Sequence, residues 1–274
     1  MTKTLLRALI LLSPIFIYIN SYAQIAKTNS VESVNSLEKS KAMNNTIFSI
    51  FKNDRAKGKR RNISKVSRIK SANYDFTNVI TDSVNRSNIG IIGDSYQRLI
   101  IKIDKVKVDP KSKTKYLVSG RSQVKQNITG FDGIIDLQSV YLYDRFDYGV
   151  DEEYKNKGLK EQGFAIFDYQ LNEDSKQRYS GIFTGKLYAK WYLTNDGNMY
   201  YDFINYYSDS YFNNLYYGTW SEYGSSQHKI ATWADYKLPQ EVVPDLNIGA
   251  GEFSPNPKYF KYGWANYSYN FKPF

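Results

Sequence analysis

From Tyr179 to Leu193 every second residue is apolar or glycine, through Gly181, Phe183, Gly185, Leu187, Ala189 and Trp191, while Ser180, Thr184, Lys186, Lys190 and Tyr192 dominate the alternate positions. An extended chain points successive side chains to opposite faces, so this run has one dry and one wet face. Fifteen residues at about 3.3 Å each span roughly 50 Å, too long for a flat strand, and the two glycines are expected where it bends. A long bent strand suits a barrel or a strongly coiled sandwich.

Weaker alternation recurs on both sides. Strands are expected at Thr114 to Val124, Ile134 to Tyr143, Gly163 to Leu171, Met199 to Asn205, Leu215 to Glu222 and His228 to Asp235. Turns are expected at Asp109 to Lys113, Thr129 to Gly133, Asn172 to Lys176, Asn195 to Asn198 and Tyr223 to Gln227. Leu99, Ile101 and Ile103 share one parity and Val106 and Val108 the other, which predicts a bulge near Asp104. Pairing Glu222 with His228 sets Trp220 opposite Ile230 and Tyr217 opposite Trp233. Large rings then occupy both faces of that hairpin, so one face is covered by another layer or exposed for binding. Beyond Asp235 the sequence reads as loop, with Tyr267, Tyr269 and Phe271 alternating as a last strand. The expected fold is all-β: one antiparallel barrel-like or sandwich domain of about 8–10 strands joined as sequential hairpins.

The N-terminal quarter has another texture. Lys3 and Arg7, the apolar run Ala8 to Ile19 and Ser21-Tyr22-Ala23 read as a signal peptide over residues 1–23, and the apolar run is shorter than the roughly 20 residues a spanning helix needs. Residues 24–73 carry 12 Lys and Arg against three acids, net +9, whereas residues 74–274 carry 23 against 24, so the excess positive charge lies before the body and mostly in the arm. That arm offers little apolar area and is expected to be mobile, with a short helix between Ser30 and Phe51 whose apolar face docks on the body. The β domain is expected from 74 to 274. A near-neutral body argues against nucleic acid as partner; contact with an anionic membrane surface falls to the arm, at Lys57 to Arg61. The absence of Cys excludes disulfides, a cysteine nucleophile and thiolate metal sites.

Ile89-Gly-Ile-Ile-Gly-Asp94-Ser95 resembles the nucleophile block of the GDSL esterases, which implies a nucleophilic Ser95. The sole histidine, His228, follows Ser225-Ser-Gln rather than the Asp-x-x of that family, so the segment reads as a turn. Asp202, Asp209, Asp235, Asp245 and Glu252 are the carboxylates weighed for a paired-acid hydrolase, and Asp196, Asp202 and Asp209 lack calcium-loop spacing. No catalytic residue, metal or cofactor is assigned. Gly218-Thr219-Trp220 resembles the Gly-x-Trp of calycin barrels, the lipocalin and avidin group, which implies a small-molecule cup.

Tyr and Trp give large contact area at low entropic cost. The expected binding residues are therefore Trp191, Tyr217, Trp220, Trp233, Tyr236 and Trp264, acting as stacking or pocket-lining surfaces for a small molecule, glycan or protein. The functional expectation is an exported, periplasmic or secreted, non-catalytic binding protein; an outer-membrane barrel and an esterase- or glycosidase-like hydrolase are the alternatives.

Overall fold

Alternating runs do form strands, and the strands close on themselves. The computed structural model describes residues 38–81 and 88–267. In chain order these form helix α1 (38–52), a small hairpin of β1 (Arg55–Ala56) and β2 (Lys59–Arg60), strand β3 (Ile63–Lys65) and two short helices, α2 (Arg68–Ser71) and α3 (Thr77–Thr81). There follow β4 (Asn88–Ile92), β5 (Gln97–Asp109), β6 (Ser112–Val124), β7 (Asn127–Tyr143), β8 (Leu159–Glu173), β9 (Gly181–Thr194), β10 (Met199–Tyr201), β11 (Asn213–Glu222) and β12 (Lys229–Asp235). Every neighbour pairing is antiparallel, and the ring runs β4-β5-β6-β7-β8-β9-β11-β12 and back to β4. Closure pairs both edges of each strand, removing the exposed edges an open sheet would leave. β10 and β3 extend the ladder beside β9 and β7 at one end.

The dry face of each strand points into the lumen. Phe183, Leu187, Ala189 and Trp191 of β9 meet Leu99, Ile101 and Ile103 of β5, Tyr116 and Val118 of β6, Phe167 and Tyr169 of β8, and Tyr216, Trp220 and Trp233 of β11 and β12 in one core. The β5·β6 register shifts between Ile103 and Lys105, so the bulge at Asp104 brings Val106 and Val108 back onto the lumen side. Glycines make room for the rings. A Cβ on Gly120 would lie 2.6 Å from the Phe131 ring and 2.1 Å from the Lys102 carbonyl oxygen, and one on Gly185 would lie 2.9 Å from the Tyr169 hydroxyl.

One barrel end is plugged by the chain that precedes β4. Tyr74 and Phe76 pack on Trp191 at 5.2 and 5.8 Å, and Val79 and Ile80 are fully buried beside them. Phe76 N donates to the Tyr116 hydroxyl at 3.0 Å, and Asn214 Nδ2 donates to the Val79 carbonyl at 2.9 Å. These two bonds tie the plug to β6 and β11.

A second core lies outside the barrel. Ile47 and Phe51 of α1, together with Leu238, Val243, Leu246, Phe253 and Trp264 from the segment after β12, cover Ile89, Ile91, Phe164, Tyr188, Leu215 and Tyr217 on the strands. The helix expected between Ser30 and Phe51 forms as α1 and docks through Ile47 and Phe51, and residues 53–73, assigned from composition to a mobile arm, include buried Ala56, Arg61, Val66 and Ser71. In that segment Ala56 and Val66 are apolar anchors that the basic composition conceals. Arg61 is buried as well: it forms an ion pair with Asp54, donates to Gln162 Oε1 at 2.7 Å and lies 3.6 Å over the Tyr143 ring. Lys190 reaches Asp54 at 2.9 Å, and although burial pushes the Asp54 carboxyl up, Lys190 and Arg61 hold it below its ordinary value.

Other expectations need correction. Thr129 to Gly133 is strand within β7, and the hairpin turns at Lys125-Gln126, where Lys125 takes the left-handed conformation. Asn172 and Glu173 belong to β8, and Ile89-Gly-Ile-Ile forms β4 rather than a turn. The β11·β12 register is one residue from that expected: Trp220 pairs with Lys229, Tyr217 with Thr232 and Tyr216 with Trp233. Both strands are also held on their other edges: β9 aligns Phe183 with Trp220 and Leu187 with Tyr216, and β4 aligns Gly90 with Trp233 and Ile92 with Ala231. One step of register exchanges the faces of β12 relative to β11, so Trp233 joins Tyr216 and Trp220 in the lumen, while Ile230 joins Tyr217 in the outer core. The segment read as a signal peptide and the expected strand beyond Tyr267 lie outside the described residues.

Docking of α1 is testable. Phe51→Ala is expected to lower unfolding free energy by about 3 kcal/mol or more, measured by urea denaturation; an unchanged midpoint would show that the helix adds nothing to the barrel.

Candidate functional site

The barrel end opposite the plug is open. Here lie the ends of β4, β6, β8 and β11 and the starts of β5, β7, β9 and β12, joined by the loops at 93–96, 125–126, 174–180 and 223–228. A cavity of about 1120 Å³ occupies this mouth. Its inner wall is apolar, with Ile92, Val124, Phe183 and Trp220; its rim is polar and carries both signs, with Gln97, Lys125, Glu222, His228 and Lys229. Alternation explains this gradient, since each strand delivers core residues until it reaches solvent and rim residues beyond that point.

Glu173, the last residue of β8, is the chemically distinctive group. It lines the cavity yet is only 6% exposed. Trp220 Nε1 donates to its Oε2 at 2.9 Å, the Gly181 backbone N–H donates to the same oxygen at 2.8 Å, and the Ser122 hydroxyl donates to Oε1. The Tyr223 hydroxyl donates to the Glu173 carbonyl oxygen at 2.7 Å. The carboxylate thus clasps β6, β9 and β11 around the mouth, and the backbone carbonyl of the same residue holds the loop after β11. Burial pushes its pKa up, and the bonds from Ser122, Trp220 and Gly181 only partly oppose this, so it stays above the ordinary value. These bonds also fix the indole of Trp220, over which the Lys229 ammonium lies at 5.2 Å.

Of the six aromatics expected to bind, the structure brings Trp220 alone to the cavity. Trp233 stacks on Tyr216 at 4.6 Å in mid-lumen, and Trp191 lies against the plug with Nε1 lacking a hydrogen-bond partner among the described residues. Tyr217 and Trp264 belong to the outer core, where Trp264 Nε1 donates to the Tyr96 carbonyl at 2.8 Å. Tyr236, at the plugged end, packs edge-on to Tyr211 at 5.1 Å. Glu173 escaped the sequence reading because Asn172 to Lys176 has turn composition; the alternation of Phe167, Tyr169 and Leu171 continues through it and was the available signal.

The esterase-like block forms the end of β4 and the turn at the rim. Asp94 and Ser95 are exposed there, and His228 Nδ1 makes no hydrogen bond among the described residues, so no serine–histidine pair is assembled. The weighed carboxylates also lie apart from the mouth. Asp202 is buried at the plugged end, accepting from Gln162 Nε2 at 2.9 Å; Asp235 accepts from the Tyr201 hydroxyl at 3.1 Å; Asp245 pairs with Lys258 on the covering segment. No cluster of three or more metal-ligating side chains occurs among the described residues. Comparisons with protein-family models, curated proteins and solved structures find no match to this chain.

A carboxyl with a pKa raised by folding favours the folded state at low pH, and this contribution is lost as pH rises from the unfolded value, roughly 4.3, through the folded one. Glu173→Gln preserves the shape: its amide oxygen accepts from Trp220 and Gly181 while its NH₂ meets Ser122 Oγ. Stability of the wild type minus that of Glu173→Gln is expected to fall as pH increases from about 4 towards neutrality. Paired denaturation curves across that range test this, and a difference independent of pH would contradict the assignment.

Proposed function

We propose that this chain is a non-catalytic binding protein whose open barrel mouth holds a small amphipathic molecule. The observation that carries the reading is the cavity itself, floored by Phe183 and Trp220 and ringed by polar groups of both signs. Its volume lies just above the roughly 300–1,000 Å³ typical of small-molecule sites, and its gradient suits a ligand that inserts a flat apolar portion first and leaves a polar head at the rim. Trp220 supplies a stacking face held in place by Glu173, so little side-chain freedom is lost on binding.

The proposed setting is outside the cytoplasm, in the periplasm or secreted, on the strength of the sequence of residues 1–23. Support for an aqueous setting over an outer membrane comes from the outer face of β5 to β9. There Arg121 pairs with Asp104 at 3.0 Å and Lys186 with Asp168 at 2.6 Å, with Lys115 near Asp136. Arg or Lys facing lipid at the bilayer midplane costs about 2–4 kcal/mol each. N-terminal sequencing of the mature protein is expected to begin at Gln24; an intact Met1 on material recovered outside the cytoplasm would remove this support.

Anilinonaphthalene sulfonate, with fused rings and an anionic head, is a suitable probe of the mouth. It is expected to bind the folded chain and accept excitation energy from Trp220, with affinity falling about tenfold or more in Trp220→Ala or Phe183→Ala. Trp264→Phe, in the outer core, is expected to leave the affinity unchanged. Circular dichroism and melting temperature establish that each variant is folded. Absence of binding, or equal binding by folded Trp220→Ala and Phe183→Ala, would sink the proposal.

A further inference from the structure

At the plugged end, a second concavity runs between the loop at 153–158 and the hairpin that joins β9 to β10. It has a volume of about 570 Å³ and is walled by Tyr154, Tyr192 and Tyr200. Tyr200 and Tyr192 are register partners across the hairpin, and their rings stack with centroids 5.2 Å apart and 21° between planes. Tyr154 stands edge-on to Tyr192 at 6.3 Å. Tyr192 is buried, whereas Tyr200 is 36% exposed and presents its outer surface to the groove. The two walls are joined, because Asn195 N donates to the Gly158 carbonyl at 2.9 Å.

Polar groups border these rings. The side chains of Glu153, Asn156, Lys157 and Asn195 line the groove, and none makes a hydrogen bond to another described residue. Asp196 differs: the Thr194 hydroxyl, the Asn198 backbone N–H and Asn198 Nδ2 all donate to it, which holds its carboxyl below the ordinary range and organises the hairpin tip. Donors and acceptors of several geometries therefore surround a flat aromatic wall in an open, solvent-facing groove.

We infer that this groove is a saccharide-binding subsite, separate from the barrel mouth. A pyranose ring has an apolar C–H face and an equatorial fringe of hydroxyls that both donate and accept. Tyr200 and Tyr154 offer surfaces for that face, while the free amides of Asn156 and Asn195, the Glu153 carboxylate and the Lys157 ammonium offer partners for the fringe. The groove is open along its length, which suits a segment of a longer glycan chain rather than an enclosed monosaccharide. The site lies beyond β9's far end from the mouth, so both sites can be filled together.

Isothermal titration of the full folded chain with maltohexaose, cellohexaose, chitohexaose and xylohexaose tests the inference. At least one is expected to bind. Tyr200→Ala is expected to weaken that binding by about tenfold or more, and Tyr200→Phe, which keeps the ring, by about twofold or less. Asn156→Ala, an exposed loop change, is expected to weaken it as well, with melting temperatures confirming that the variants are folded. Trp220→Ala is expected to leave saccharide affinity intact, which separates this site from the mouth. Failure of all four oligosaccharides to bind would overturn the inference. So would equal binding by Tyr200→Ala, or loss of binding in folded Trp220→Ala with retention in Tyr200→Ala.

Discussion

Eight antiparallel strands enclose a space that side chains just fill, and here many of the largest of those side chains are aromatic. Rings of this size fit only where the facing position gives way. Phe131 lies against Gly120 and Tyr169 against Gly185, each on the neighbouring strand. That matching fixes strand register, because a shift of one residue would set a ring against a side chain and turn its own strand inside out. It also has a cost. The Tyr169 and Tyr216 hydroxyls and Trp191 Nε1 are buried without hydrogen-bond partners among the described residues, at about 1–3 kcal/mol each. Buried ring area offsets this cost, consistent with a core role for those three residues.

The two ends of the lumen are finished differently. At one end Tyr74 and Phe76 continue the aromatic packing, and the chain that carries them is held by Tyr116 and Asn214. At the other end no such segment enters among the described residues, and the strands finish in a polar ring gathered by Glu173. The outside is divided as well. Apolar residues on β4, β8, β9 and β11 are covered by α1 and the segment after β12, while the surface of β5 to β7 carries charge. A sheet with apolar side chains on both faces over part of its circumference needs this covering layer to keep the outer apolar face from water.

Local alternation was legible in the sequence. It located most strands, the bulge at Asp104, the lumen face of β9 and the antiparallel class, because each depends on a few neighbouring residues. What required distant partners was not legible. The β11·β12 register is fixed together with the pairing of β12 to the distant β4 rather than by the hairpin loop alone, so Trp233 sits opposite Tyr216 instead of the expected Tyr217. Gly90 hid β4, since a glycine facing Trp233 across the sheet reads locally as a turn. The docking face of α1 was legible from its helical spacing, whereas the basic character of residues 53–73 concealed Val66, and Arg61 looked available until Asp54 and Tyr143 enclosed it. For the mouth, Trp220 was anticipated from residue type, but Glu173 was not, because its three donors come from three other strands.

The seam of the barrel joins β4 to β12, the first and last strands of the ring, which stand more than a hundred residues apart in sequence. Hairpins β5-β6 through β8-β9 need only local chain, but the ring remains an open sheet until Lys229–Asp235 becomes available. A chain still being synthesised therefore presents two unsatisfied edges and an unfilled aromatic trough for most of its length. Contacts this remote in sequence make ring formation a late, slow event. Incomplete chains carry the template for edge-to-edge association.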